Sequence, residues 1–223
     1  MSYNKEQTTF IEVNKVDFSA LKFSNTKQTA GRRFLNMYYL KKNLGLKLPK
    51  LRIPFDTKVS NYGQLEVNFS LGDNQELIKK IKDLDSKMVV FAEENNWHNG
   101  ECEYTPMLKL SKNNAFPPTI RIKIPLKNDT IEAKFFDSEK VQLSIKNSDD
   151  VCNLLVKGTS ALSAIECVGV WFNADRWGLT WKVCQIRLEK IGKREVLEDS
   201  CFMSDSDNSI DSDTELLIQD EDE

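Results

Sequence analysis

Residues 26–58 carry nine bases, Lys27, Arg32, Arg33, Lys41, Lys42, Lys47, Lys50, Arg52 and Lys58, against one acid, Asp56. Phe34, Tyr38, Tyr39 and Phe55 are interleaved with them. Cations that neutralise phosphates and rings on which unstacked bases lie are the two components of a single-strand-binding surface. A solvated hairpin with its rings turned to the core would contain the same aromatics, so the charge imbalance is the stronger half of the signal. A second cluster falls at residues 168–182, where Trp171, Trp177 and Trp181, three of the four tryptophans, surround a turn that ends at Gly178. Alternation sets Trp181, Val183, Gln185 and Arg187 on one side and Lys182, Cys184, Ile186 and Leu188 on the other. Each side mixes polar and apolar residues, which leaves the core face open. An exposed indole is costly, so at least one of Trp171 and Trp181 is expected inside, and Trp177 at the tip is the candidate for stacking on a base.

Bond-making chemistry finds little support. The single histidine, His98, lies in an Asn- and Gly-rich turn, with no GxSxG elbow and no recognisable triad partner. Glu93 and Glu94 are neighbours on a helix and point in different directions, so they are expected to be solvated rather than to hold a metal. No GxGxxG or Walker loop is present. Five cysteines without a CxxC pair argue against a disulfide framework and a structural zinc, and favour a reducing compartment. The expectation is a non-enzyme without cofactor or metal.

Charge divides the chain in two. Residues 198–223 hold eleven acids and no base, so the formal net charge of −3 leaves +8 for residues 1–197. A basic body joined to an acidic tail suits a protein that binds a polyanion through the body. The organisation read from this is one domain over 1–197 and a disordered acidic tail over 198–223, whose Ser- and Asp-rich run offers too little apolar surface to order. Leu216-Leu217-Ile218 is the apolar cluster near its end, either an anchor for a partner or a run without a role. With no apolar leader at the N-terminus and no long apolar run, the reading is a soluble chain, neither secreted nor inserted.

Strand patterns dominate the body, at residues 10–23, 33–40, 44–55, 64–71, 105–110, 119–124, 131–136, 141–145, 160–172 and 179–191. The cleanest is 119–124, with Ile120, Ile122 and Ile124 on one face and Thr119, Arg121 and Lys123 on the other. A helix is predicted after Asp73 or Asn74, where Leu77, Ile78, Ile81, Leu84, Met88 and Phe91 make an apolar stripe that ends near Asn96. A weaker helical pattern covers 149–155. Many short strands with one embedded helix predict a mainly β fold, an OB-fold-like antiparallel barrel with one main α-helix that caps or plugs it.

Gly169-Val170-Trp171-Phe172, followed by Trp177-Gly178-Leu179-Thr180-Trp181-Lys182-Val183 and Gln185-Ile186-Arg187, resembles the closing hairpin of single-stranded-DNA-binding proteins encoded by nucleocytoplasmic large DNA viruses. Pro117-Pro118-Thr119 through Pro125, Tyr104-Thr105-Pro106, the helix end at Glu94-Asn95-Asn96-Trp97, and Gly45 through Phe55 follow the same order, and the likeness spans about residues 17–190. The resemblance implies an elaborated OB-type barrel, similar to the phage acidic-tailed type, that coats single-stranded DNA without base specificity in replication, recombination and repair. One departure is the tail's end, Asp220-Glu221-Asp222-Glu223, where the phage type has an aromatic residue.

The candidate binding residues are Arg32, Arg33, Lys41, Lys47, Arg121, Lys123, Arg176 and Lys182 for phosphates, and Tyr39, Phe172 and Trp177 for bases. In the free protein the tail is expected to compete for that surface, and on release to recruit replication proteins. RNA in place of DNA and homo-oligomerisation both stay open, and no membrane partner is expected. The expected location is the host cytoplasm at a viral replication site, or the nucleus, with packaging in the virion also open. Competing readings are an acidic-tailed chaperone of histones or other basic proteins, and a nucleic-acid enzyme.

Overall fold

Thr119–Ile124 alternates as its sequence requires, Ile120, Ile122 and Ile124 inward and Arg121 and Lys123 outward. Its neighbour Leu65–Ser70 does the same in register, with Val67 opposite Ile122 and Phe69 opposite Ile120. A computed structural model describes residues 8–29, 32–60, 63–97, 102–128 and 130–190, with only the backbone given at Thr29 and Arg32. Five of its strands form a ring: β1 (Lys42–Arg52), β2 (Leu65–Ser70), β3 (Thr119–Ile124), β4 (Ser160–Phe172) and β5 (Arg176–Lys190). β1 pairs antiparallel with β2 and β4, β2 with β3, and β4 with β5, while β5 runs parallel to β3 and closes the circle. That order, β1-β2-β3-β5-β4-β1, is an OB-type Greek-key barrel.

The mainly β, OB-like fold class stands, but the pairing is mixed rather than antiparallel throughout. Besides β3 with β5, the segments Glu103–Thr105 and Lys134–Phe136 run parallel to β5, and Thr8–Glu12 runs parallel to β1. The strand expected over 10–23 is broken by two 3-10 turns, Val13–Lys15 and Phe18–Ala20. Asp17 explains the second break, because its carboxylate accepts the Ser19 N–H at 2.9 Å and the Ser19 hydroxyl at 2.6 Å, a local bond that competes with the ladder.

α1 (Gln75–Glu94) starts at Asn74, whose side chain accepts the Leu77 N–H at 3.0 Å. It buries Leu77, Ile78, Ile81, Leu84, Met88 and Ala92. Asn96, with φ 49°, stops it in the left-handed conformation that asparagine tolerates. α2 (Ser148–Leu154) is capped by Asn147 and sits between β3 and β4. Among the described residues one apolar cluster runs from Val13 to Leu188. His98 and residues 198–223, where a turn histidine and tail disorder are expected, lie outside the described residues.

Two of the three register shifts on the β4–β5 hairpin settle the face that alternation left open. Ala164 faces Gln185 and Ile165 faces Val183, so Cys184 is an extra residue. The strand therefore turns over there. Trp181 and Val183 point inward before the bulge, Ile186 and Leu188 after it. The second extra residue is Val168, beside Gly169 at φ 147°. A Cβ at Gly169 would collide with the Leu35 carbonyl, so only glycine fits where the Arg32–Leu35 strand crosses β4.

Candidate nucleic-acid interface

β3 meets β5 through one registered pair, Lys123 with Lys182. Away from that pair the strands diverge and leave a cleft of about 650 Å³ on the outer face of the barrel. Arg121 and Lys123 of β3, Lys109 and Met107 of the segment before it, and Trp171, Leu179 and Trp181 of the hairpin line it. A second recess of about 290 Å³ shares Gln64, Lys123 and Thr180 with the first and adds Lys182. Together they make one groove with Lys109, Arg121, Lys123 and Lys182 along it.

The far wall is held from below. Asp85, on the buried stripe of α1, accepts the Tyr104 hydroxyl at 2.7 Å and the Met107 N–H at 2.9 Å on one oxygen, and the Leu108 N–H at 3.1 Å on the other. Burial pushes the Asp85 carboxyl above its ordinary range, and these three donors oppose that shift. Burial and the nearby Asp85 raise Tyr104 well above an ordinary phenol, which keeps it the neutral donor. The segment that carries Lys109 into the groove is thereby fixed to the helix.

Trp171 is the half-buried ring in this groove. It lies opposite Gly178, where an added Cβ would come within 3.2 Å of the indole and 3.0 Å of the Thr105 carbonyl oxygen. Gly178 thus makes room for the ring between the hairpin and the wall. Burial depresses the Lys109 pKa, and Arg121 and Arg176 depress it further against the opposing pull of Asp85. Two guanidiniums therefore bear on the Lys109 ammonium, Arg121 within the groove and Arg176 outside its lining, an arrangement that an anion relieves. The acids nearby are paired: Glu66 lies 3.6 Å from Arg121, and Glu166 lies 3.6 Å from Lys182 while accepting from Asn43 at 3.1 Å. Arg176 at the rim sits between Glu103 at 3.9 Å and Asp175 at 3.8 Å.

The structure brings Arg121, Lys123 and Lys182 together, with Arg176 beside them. It does not bring the rest. Trp177 is 1% exposed, Phe172 6% and Tyr39 8%, so none of these rings offers a face for a base. Trp177 packs against Trp97, Phe172 and Tyr104, with centroids 4.6 to 6.1 Å apart, because it begins β5 rather than forming the tip. Arg33 lies 4.4 Å over the Phe172 ring, a cation–π contact that spends its charge on the core's edge. Lys41, at φ 66°, occupies the turn before β1, and Lys47 lines a different cleft on the other half of β5. The Arg32 side chain lies outside the described residues. Lys109 and Trp171 were missed as site residues. Alternation from buried Leu108 pointed Lys109 outward, and the Trp171–Gly178 pairing was legible once the hairpin register was set.

No protein-family model and no curated protein matches the chain. Among solved structures it is similar to the single-stranded DNA-binding protein from bacteriophage Enc34, at 13% identity and TM-score 0.47, covering 82% of this chain and 99% of that one. It is also similar to gp2.5, a single-stranded DNA-binding protein encoded by bacteriophage T7, at 12% identity and TM-score 0.46, covering 69% and 96%. The Enc34 protein in complex with ssDNA matches at 11% identity and TM-score 0.45, covering 77% and 97%. These are phage proteins, and the large-virus family whose motifs the sequence resembles is not among them. At such scores the likeness carries no functional argument, which has to come from the groove itself.

Asp85→Asn leaves an amide NH2 facing backbone donors that need an acceptor. The expected loss is about 1–3 kcal/mol of stability in urea unfolding, with Tyr104→Phe costing less. Equal midpoints for Asp85→Asn and the parent would show that the wall does not depend on this carboxylate.

Proposed function

We propose that this protein binds single-stranded DNA without base specificity and without catalysis, coating exposed strands in viral DNA replication, recombination and repair. The observation that carries the binding is the groove, where four cations follow one line past the half-buried Trp171. Backbone phosphates meet Lys109, Arg121, Lys123 and Lys182, and a base stacks on Trp171. Every base has a π-face, so such contacts tolerate any sequence. The replication setting is supported by the motif resemblance over about residues 17–190 alone. The acidic tail is proposed to compete with DNA for the cations and to recruit partners once displaced.

A titration of the full chain with oligo-dT, duplex DNA and RNA, followed by tryptophan fluorescence, tests this reading. Oligo-dT should bind more tightly than duplex, with a log–log salt slope that grows by about −0.7 per phosphate neutralised. Trp171→Ala should lose about 1–3 kcal/mol of binding, measured under conditions where its urea unfolding shows the variant fully folded. A flat salt response, or a Trp171→Ala variant that binds like the parent, would remove the groove from consideration.

The proton on Lys109 gives a second check. Its pKa lies below the ordinary lysine value, and only the charged form holds a phosphate, so affinity should fall as pH rises through that lowered pKa. Lys109→Arg, which keeps its charge, should bind evenly over the same window. Identical pH profiles for the two proteins would place Lys109 outside the contact.

Removing residues 198–223 should tighten oligo-dT binding at low salt and have less effect at high salt. Equal or weaker affinity in the shortened chain would sink the competition.

A further inference from the structure

A second cleft lies on the opposite half of β5, past the bulge at Cys184. It has a volume of about 380 Å³, an apolar floor that includes Phe136, Leu162 and Ala164, and three bases, Lys47, Lys140 and Arg187, with no acid in its lining. Arg187 is held by Glu189 at 2.9 Å. Lys47 and Lys140 are exposed and form no ion pair among the described residues, although Glu12 lies opposite Lys47 in the adjoining strand. Lys140 is held in place by its turn: Asp137 accepts the Glu139 and Val141 N–H groups at 2.9 and 2.8 Å, which fixes Lys140 at φ 69°. The proposed DNA groove uses none of these residues. An apolar floor under three cations suits a short apolar peptide flanked by carboxylates.

One such peptide belongs to this chain. We propose that the cleft seats the C-terminal segment around Leu216-Leu217-Ile218, the leucines and isoleucine on the floor and the flanking acids against Lys47, Lys140 and Arg187. Acids stand on both sides of that cluster, Asp213 and Glu215 before it and Asp220 to Glu223 after it. The earlier run Cys201-Phe202-Met203 has serines as its immediate neighbours and matches the three bases less well. Reach is ample, because Lys190 ends β5 three residues beyond Arg187 and the 25 residues from there to Glu215 can span up to about 80 Å. The site is separate from the DNA groove, and the inference does not depend on DNA binding.

Carbodiimide coupling of the full chain, which joins an ammonium directly to a carboxylate in contact with it, tests the placement by mass spectrometry without nucleic acid. The expected products link Glu215 or the acids at 220–223 to Lys47 or Lys140. They should be lost when Leu216, Leu217 and Ile218 are all changed to Ser, a substitution outside the described residues. Tail links confined to Lys109, Lys123 or Lys182, an absence of tail links, or links to Lys47 and Lys140 that survive the triple change would each overturn the proposal.

Discussion

The barrel closes between β3 and β5 through one backbone pair, Lys123 with Lys182, and the arrangement of the groove face follows from that economy. A longer ladder would have brought the strands together along their length and erased the cleft. A missing pair would have opened the core, since Ile122 and Val183 lie directly behind the seam with no exposure to water. One pair keeps the inner faces joined while the outer faces part. Because both partners are lysines whose side chains project outward, the point of closure also brings two cations side by side. Like charges so placed repel, and Glu166 beside Lys182 and Glu66 opposite Lys123 moderate that repulsion in the free protein.

A cleft formed by diverging strands needs a second wall, and an irregular segment is poorly suited to make one unless its polar groups are satisfied. Asp85 supplies acceptors for two backbone N–H groups and a phenol from the helix side, so residues 104–109 behave as part of the scaffold. Beneath the groove, Trp97, Tyr104, Phe172 and Trp177 form a packed aromatic layer. Aromatics buried there stiffen the hairpin from which Trp171 projects. The division of labour among the tryptophans is therefore physical: Trp97 and Trp177 build the support, Trp181 lies buried at the edge of the cleft, and Trp171, opposite a glycine, keeps a face partly accessible.

Much of this was legible in the sequence where one rule acted alone. The β3 alternation and the 160–172 strand have the bounds their patterns predict, and Asn74 and Asn96 bracket the helix as capping chemistry requires. The groove face was harder to read because bulges interrupt the period-two rule on the strands that carry it. One extra residue at Cys184 turned an ambiguous strand into two unambiguous halves, and no local signal distinguishes a bulged cysteine from a paired one. The basic run at 26–58 misled for another reason. Its residues are consecutive in sequence, but β1 and the strands before it distribute them around the barrel, so Lys47 and Arg33 end far from Arg121 in role. Lys109 entered the groove through tertiary placement by Asp85, a partner twenty-four residues away in sequence.

The same bulge has a consequence for charge. Outward residues before Cys184 serve the groove and those after it serve the second cleft, so one strand presents Lys182 to one site and Arg187 to the other. From Thr180 to Gln185 the strand covers roughly 15 Å, about twice the Debye length at physiological salt. Anions bound in the two clefts would therefore be largely screened from one another, and direct repulsion alone would not couple them. An acidic segment anchored in the second cleft would be different, because its remaining carboxylates could extend across that distance to Lys182. Anchoring raises their local concentration at the groove without occupying it. Competition with DNA would then be set by the tether and by salt more than by a specific tail–groove fit.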